Sequence, residues 1–322
     1  MERLIAGAGD AQSGRDETAA FRRDLIAALS ADPKTISPKW FYDAEGSRLF
    51  EDITRLEEYY PTRQEAALLR QVAPDYAAAF GPGAVLIEFG SGASEKTRLL
   101  LDAAPDLAAY VPIDISPDAL REAAARIGRA YPRLTVEPVV GDFLHLDRLP
   151  GDLGSGRRIG FFPGSTIGNL TPEEAVDFLA SARRLLGEGS LFILGVDLVK
   201  ESATLVTAYD DARGVTAAFN MNLLVRANRE LGADFDLDDF EHRAVWNADQ
   251  SRMEMHLVAR RDVAVRVDGR VFRFRQGESL HTESSRKFTE ASVRDMAKAS
   301  GWTVARFDAG PAPSVALALL RA

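Results

Sequence analysis

Between residues 85 and 199 the chain repeats one pattern: a short, nearly continuous apolar run, a turn, then a helical stretch. The runs are VLIEF, AYVPIDIS, LTVEPVV, RIGFFPG and SLFILGVDLV. Runs apolar on both faces suit strands covered on both sides, so their alternation with helices predicts a doubly wound, mostly parallel α/β sheet. Helices are expected over 94–104, over 117–130 with Ser116 as cap and Pro117 first, and from Thr171-Pro172 to about 187. Upstream, an amphipathic helix is read over 14–31, and Thr62 with Glu65 has the spacing of a capping box that opens a helix leading to the first strand.

After Lys200 the period changes. Residues 201–232 read as helical, and 240–280 alternate apolar and polar positions with turns at Asn247-Ala248-Asp249 and Asp268-Gly269, as in an antiparallel meander. A helix from Thr289 and two strands, TVARFDA and VALALLRA, then suit the edge of the parallel sheet. The expected organisation is therefore a sheet domain of 62–199 plus 288–322, and a second α+β domain of 11–61 plus 200–287 inserted into it.

The 322 residues are 46% apolar, enough for one large or two ordinary domains. With 39 Lys and Arg against 48 Asp and Glu and no basic run, a nucleic-acid backbone finds nothing to bind. Apolar stretches such as LFILGV fall short of a membrane span, the N-terminus lacks a signal-peptide block, and zero Cys leaves no disulfide or thiolate ligand. A soluble cytoplasmic monomer is expected.

The first run enters Gly90-Ser91-Gly92 and then a helix. A dinucleotide fingerprint has a third glycine there and sets a pyrophosphate on the helix N-terminus. Here Glu95 takes that place, and its carboxylate opposes a pyrophosphate. Asp114 ends the second run, 22 residues past Gly92, where it can accept from both ribose hydroxyls; Asp142 follows the third, where it can accept from an adenine amino group. With Glu88 these carboxylates line the carboxyl edge of the sheet and favour a cation. S-adenosylmethionine, a sulfonium with ribose, adenine and no phosphate, meets each condition. The competing reading is a plain tight turn, with Asp114 and Asp142 as turn or cap residues.

Longer blocks narrow the choice. KWFYDAEGSRLFEDITRLEEYYPTRQEA, EFGSGASEKTRLLLDA, GSTIGNLTPEEA, AYDDARGVTAAFNMNLLVRANRELGADFDLDDFEH and TESSRKF closely resemble the histidine Nα-methyltransferases of ergothioneine biosynthesis, from about residue 16 to the end. The resemblance implies a class I S-adenosylmethionine-dependent, Rossmann-like methyltransferase domain carrying an inserted domain. It implies transfer of three methyl groups to the α-amino group of L-histidine, giving hercynine. It puts Gly90, Lys96, Asp114, Asp142 and Phe143 on the cofactor, and Tyr59, Gly164, Asn169, Tyr209, Met255, Glu283, Ser284 and Ser285 on the amino acid. In that frame Asn169 and Tyr209 donate to the substrate carboxylate, and Glu283 and Ser285, two apart in an extended segment, grip both imidazole nitrogens. Met255 tunes the imidazole pocket. Tyr59 walls the amine and is the catalytic candidate, with a water or the substrate carboxylate as the other acceptors of the amine's proton.

Outside the resemblance, Trp40, Phe41, Tyr42, Tyr59 and Tyr60 read as core rather than binding site, and Asn169 as the start of a helix. The four His residues, at 145, 242, 256 and 281, lack the i, i+4 spacing of a metal pair, so no metal is expected. Rival functions are N-methylation of another aromatic amino acid, a non-catalytic S-adenosylmethionine sensor, and a nicotinamide dehydrogenase, which Glu95 disfavours.

Overall fold

The structure, a computed structural model, describes residues 6–322 except 93–94, 147, 152 and 313; side chains are described from 17 onward, apart from those positions and 95, 118–119 and 145. The chain divides into two compact units, one of Met1–Tyr59 with Glu201–Ser284, the other of Tyr60–Lys200 with Ser285–Ala322. Among the described residues no helix is long and apolar enough to cross a membrane.

The second unit is built on one sheet. Its strands are β1 (Val85–Phe89), β2 (Ala109–Asp114), β3 (Thr135–Val136), β4 (Arg158–Phe162), β5 (Leu191–Asp197), β6 (Thr303–Ala309) and β7 (Val315–Arg321). They lie in the order β6-β7-β5-β4-β1-β2-β3; β1 to β5 run parallel and β7 lies antiparallel between β5 and β6. Every residue of β1 and β5 is buried, the two-sided cover that continuous apolar runs require. Phe89, Phe162, Phe178 and Phe192 pack as one aromatic cluster, with Trp302 against Phe192. Each such ring contributes roughly 1.5–3 kcal/mol through burial. Gly160 of β4 admits the cluster, because a Cβ there would lie 2.3 Å from the Phe192 ring. The expected third strand is shorter than its run: Pro138, which cannot donate to the ladder, separates Thr135–Val136 from Val139–Val140.

Two helix caps differ from expectation. The helix leading to β1 covers Tyr60–Ala78, so it begins before Thr62, and the Glu65 carboxylate serves partners outside the helix instead of capping it. The helix after β2 begins at Pro117 as expected, but Ser116 makes no side-chain cap bond; its N–H donates to Asp114 instead.

In the first unit the expected helix of 201–232 is two, Ser202–Tyr209 and Val215–Leu231. The Asp211 carboxylate accepts from the N–H groups of Val215 and Thr216 and starts the second one. The meander is also divided. Strands Phe240–Asn247 and Arg252–Ala259 pair antiparallel and belong to a four-stranded sheet with Ser279–Arg286 and the short Lys34–Thr35, while Val263–Val267 and Arg270–Phe274 form a separate hairpin. That hairpin turns at Asp268-Gly269, both with positive φ, the type I′ geometry this dipeptide favours.

Candidate active site

Strand order reverses between β1 and β4, so the crevice of the sheet opens at their carboxyl ends. The loop after β1 holds Gly90 at φ 71° and Gly92 at φ 46°, left-handed values that call for glycine. The N–H groups of Gly90 and Ser91 donate to the Ile113 carbonyl of β2 at 2.9 and 3.1 Å. One strand end further, Asp114 Oδ2 accepts from the Gly92 N–H and Oδ1 from the Ser116 N–H, each at 3.0 Å. The glycine turn and Asp114 are thus one hydrogen-bonded piece, with lone pairs of both carboxylate oxygens left for a ligand's hydroxyls. The next residue, Ile115, is 46% exposed. The ring of Phe143 lies 3.6 Å from where a Cβ on Gly90 would stand, and it packs edge-on to Phe162 and Phe178. Asp142 begins the one-turn helix Phe143–His145, and its Oδ1 accepts from the Leu144 N–H at 2.9 Å. The Glu95 side chain lies outside the described residues.

Glu88 does not line this crevice, contrary to the sequence reading. It is 1% exposed, and its carboxyl accepts from the Thr97 hydroxyl at 2.6 Å and from the Tyr110 hydroxyl. Burial pushes its pKa up to about 7, against the opposing effect of those two hydrogen bonds.

A residue missed as a site candidate sits under the crevice. The buried Glu65 carboxylate accepts from the Gly164 N–H at 2.9 Å to each oxygen and from Lys96 Nζ, so one side chain joins the loop after β4 to the helix after β1. Gly164 has φ 81°, and a Cβ on it would stand 3.6 Å from Lys96 Nζ. Beneath it, a Cβ on Gly195 of β5 would fall 1.8 Å from Glu65 Oε1, so glycine there makes room for the carboxylate. No local pattern reveals this, because Gly164 lies 99 residues from Glu65.

The loop after β4 continues as the single turn Thr166–Asn169. The helix that follows, Pro172–Leu186, is capped by Thr171 and Glu174 in a reciprocal box, so capping does not account for Asn169. At the end of β5, buried Asp197 accepts from the Tyr60 hydroxyl at 2.7 Å and pairs with Lys200 and with Lys287 at 2.9 Å; Lys287 also donates to Ser285 Oγ at 3.0 Å. Burial alone would raise the Asp197 pKa, but the two cations hold it below its ordinary value.

The other candidates lie in the first unit. The Tyr59 ring stands edge-on to Tyr209 and to Phe50, with centroids 6.3 Å apart in each pair. The Tyr209 carbonyl is 2.9 Å from His242 Nε2. Met255 is 2% exposed, and its carbonyl accepts from the Thr282 hydroxyl at 3.0 Å. Along Ser279–Arg286 burial alternates up to Thr282, then Glu283 and Ser284 are both half-buried and Ser285 is buried; the division between the units falls after Ser284.

A parallel sheet with an antiparallel seventh strand inserted beside the fifth, and a glycine turn bonded to an aspartate at the end of β2, is the class I S-adenosylmethionine-dependent methyltransferase fold. Residues 21–322 match the family described as histidine-specific, S-adenosylmethionine-dependent methyltransferases, and the chain belongs to that family. It is 51% identical over 280 residues to the histidine N-alpha-methyltransferase of Mycolicibacterium smegmatis, covering 85% of this chain and 86% of that one. To the histidine N-alpha-methyltransferase of Mycobacterium tuberculosis it is 46% identical over 288 residues, 88% of each chain. Ergothioneine biosynthesis protein 1 of Neurospora crassa is 32% identical over 209 residues, 62% of this chain and 23% of that one.

Proposed function

We propose that this protein methylates the α-amino group of L-histidine three times, giving hercynine and opening ergothioneine biosynthesis. The observation that carries the reading is its 51% identity, over most of both chains, to a relative named for histidine Nα-methylation. Bound S-adenosylmethionine supplies an electrophilic methyl group. The protein's own task is to hold that cofactor, align a neutral amine behind the methyl and exclude water. Asp114 takes the ribose hydroxyls, Asp142 the adenine amino group, and Gly90, Phe143 and Lys96 complete the cofactor contacts. Lys96 is held ready by Glu65.

On the substrate, Asn169 and Tyr209 donate to the carboxylate, and Glu283 with Ser285 reads the imidazole, with Gly164, Met255 and Ser284 shaping the pocket. Tyr59 faces the amine as an aromatic wall, able to tolerate the growing cationic charge without hydrogen-bonding it. An amino acid's ammonium has to shed a proton before each nucleophilic attack; the candidate acceptors are the substrate carboxylate, a water that passes the proton on to solvent, and Tyr59 in its phenolate form.

Mass spectrometry of a reaction with S-adenosylmethionine and an equimolar amino-acid mixture tests the assignment. Three methyl groups should appear on histidine alone; comparable methylation of tryptophan or tyrosine, or no methylation, would overturn it. Glu283→Ala should raise the KM for histidine roughly ten- to a hundredfold, the cost of a lost charge-assisted hydrogen bond. An unchanged KM removes Glu283 from the imidazole.

A further inference from the structure

Histidines that lack metal spacing in sequence can still be brought together by the fold. Among the described residues, Glu254, His256 and His281 each bring a ligand atom, and the three atoms lie within 4.8 Å of one another. Glu254 and His256 are two apart on Arg252–Ala259 and share a face, and the neighbouring strand Ser279–Arg286 delivers His281 to the same place. The two imidazoles stack with centroids 4.8 Å apart and 21° between their planes, so one ring has to turn about its Cβ–Cγ bond for both in-plane lone pairs to meet at one ion. His256 Nε2 stands 3.1 Å from Glu254 Oε2. Two ligands of one tetrahedral ion, with bonds of about 2.1 Å, stand roughly 3.4 Å apart.

The partners behind these atoms point the same way. His281 Nε2 faces the Glu283 carbonyl at 2.8 Å, and a carbonyl only accepts, so Nε2 carries the proton and Nδ1 keeps its lone pair. His256 Nδ1 lies 3.2 Å from Ser279 Oγ, which accepts its proton in the tautomer that bares Nε2. Glu254 Oε1 takes Asn247 Nδ2 at 2.9 Å and Arg252 Nε at 2.7 Å, and this leaves Oε2 turned towards His256. Imidazoles whose second nitrogen is held by a carbonyl or hydroxyl, beside a carboxylate fixed by donors, are what metal-ligating residues need behind them.

We propose that Glu254, His256 and His281 bind one divalent transition cation of the zinc type, with a fourth position open to water. Two imidazole nitrogens and one carboxylate oxygen select zinc or cobalt over calcium or magnesium. Arg252 beside Glu254 opposes a second positive charge and weakens the site without closing it. The ion pins Arg252–Ala259 to Ser279–Arg286, and through the His281 to Glu283 hydrogen bond it stiffens the segment carrying Glu283 and Ser284.

The test uses full-length untagged protein stripped with chelator, in buffer free of histidine, which is itself a chelator. Titration with Co2+ should give visible tetrahedral bands that saturate at one equivalent, Zn2+ should bleach them, and Zn2+ should raise the Tm of the wild type. His281→Ala and Glu254→Gln should lose both the bands and the Tm rise, while their Tm in EDTA reports independently that each folds. If His281→Ala does not fold, Glu254→Gln, which keeps the shape of the side chain, decides. A wild type without cobalt bands, or folded variants that keep them, would overturn the proposal.

Discussion

A side chain that touches no reacting atom can still decide whether a site forms, and Glu65 is in that position. Its carboxylate holds Lys96 Nζ and the Gly164 N–H together while itself 3% exposed. Glu65→Gln keeps the volume but removes the charge that pairs with Lys96 and one of the acceptor oxygens. Breaking one side of such a buried arrangement is costly, because it strands the partner charge. The expected outcome in steady-state kinetics is a loss of at least roughly tenfold in kcat/KM for S-adenosylmethionine; an unchanged value would show that Lys96 needs no anchor. In sequence Glu65 looked like a capping residue because Thr62 stands three positions before it. The helix starting at Tyr60 left that carboxylate to long-range partners that no window reveals. Gly90, Gly92 and Asp114 could be picked out because turn and strand-end chemistry is local.

At the scale of elements, buried Glu88 links three of them: it sits on β1, accepts from Tyr110 on β2, and accepts from Thr97 on the helix Glu95–Ala103. Unfolded, such a carboxyl ionises near 4.5, and burial raises it to about 7 in the fold. Below pH 4.5 both states keep the proton. Between pH 4.5 and 7 the unfolded state gives up this proton while the buried carboxyl of the folded state keeps it, so stability is lost across that interval and levels off above it. Glu88→Gln stays neutral, so urea unfolding should show wild type losing on the order of 3 kcal/mol relative to the variant between pH 4.5 and 8. A constant difference across that range would place the proton elsewhere. The strands of the sheet were legible because a fully buried strand reads as an unbroken apolar run. The splitting of 201–232 was not, since Asp211 starts a second helix by side-chain capping within a helical period. Nor was the pairing of His256 with His281, 25 residues apart, which only sheet topology creates.

For the whole molecule, cofactor binding is readable as stability. S-adenosylmethionine at a hundred times its Kd should add about 2.7 kcal/mol to the folded state and raise the Tm accordingly. Asp114→Asn should fold yet lose most of that rise, because an amide cannot accept on both sides as the carboxylate does. If Asp114→Asn keeps the full rise, the ribose assignment fails. Fold and cofactor class follow from patterning and charge. The choice of acceptor does not, because Tyr59, Tyr209 and Glu283 sit among aromatic and strand residues that any core could contain; only the long matched blocks single them out.

The glycine in the middle of β5 has a genetic consequence. A methyl at position 195 would occupy the space of the Glu65 carboxylate. Gly195→Ala should therefore cripple a chain that has glutamate at 65 and cost much less in one already carrying Glu65→Ala, where the nearest remaining contact is the Pro163 Cα at 3.2 Å. The two positions are epistatic: the cost of a methyl at 195 depends on the side chain at 65.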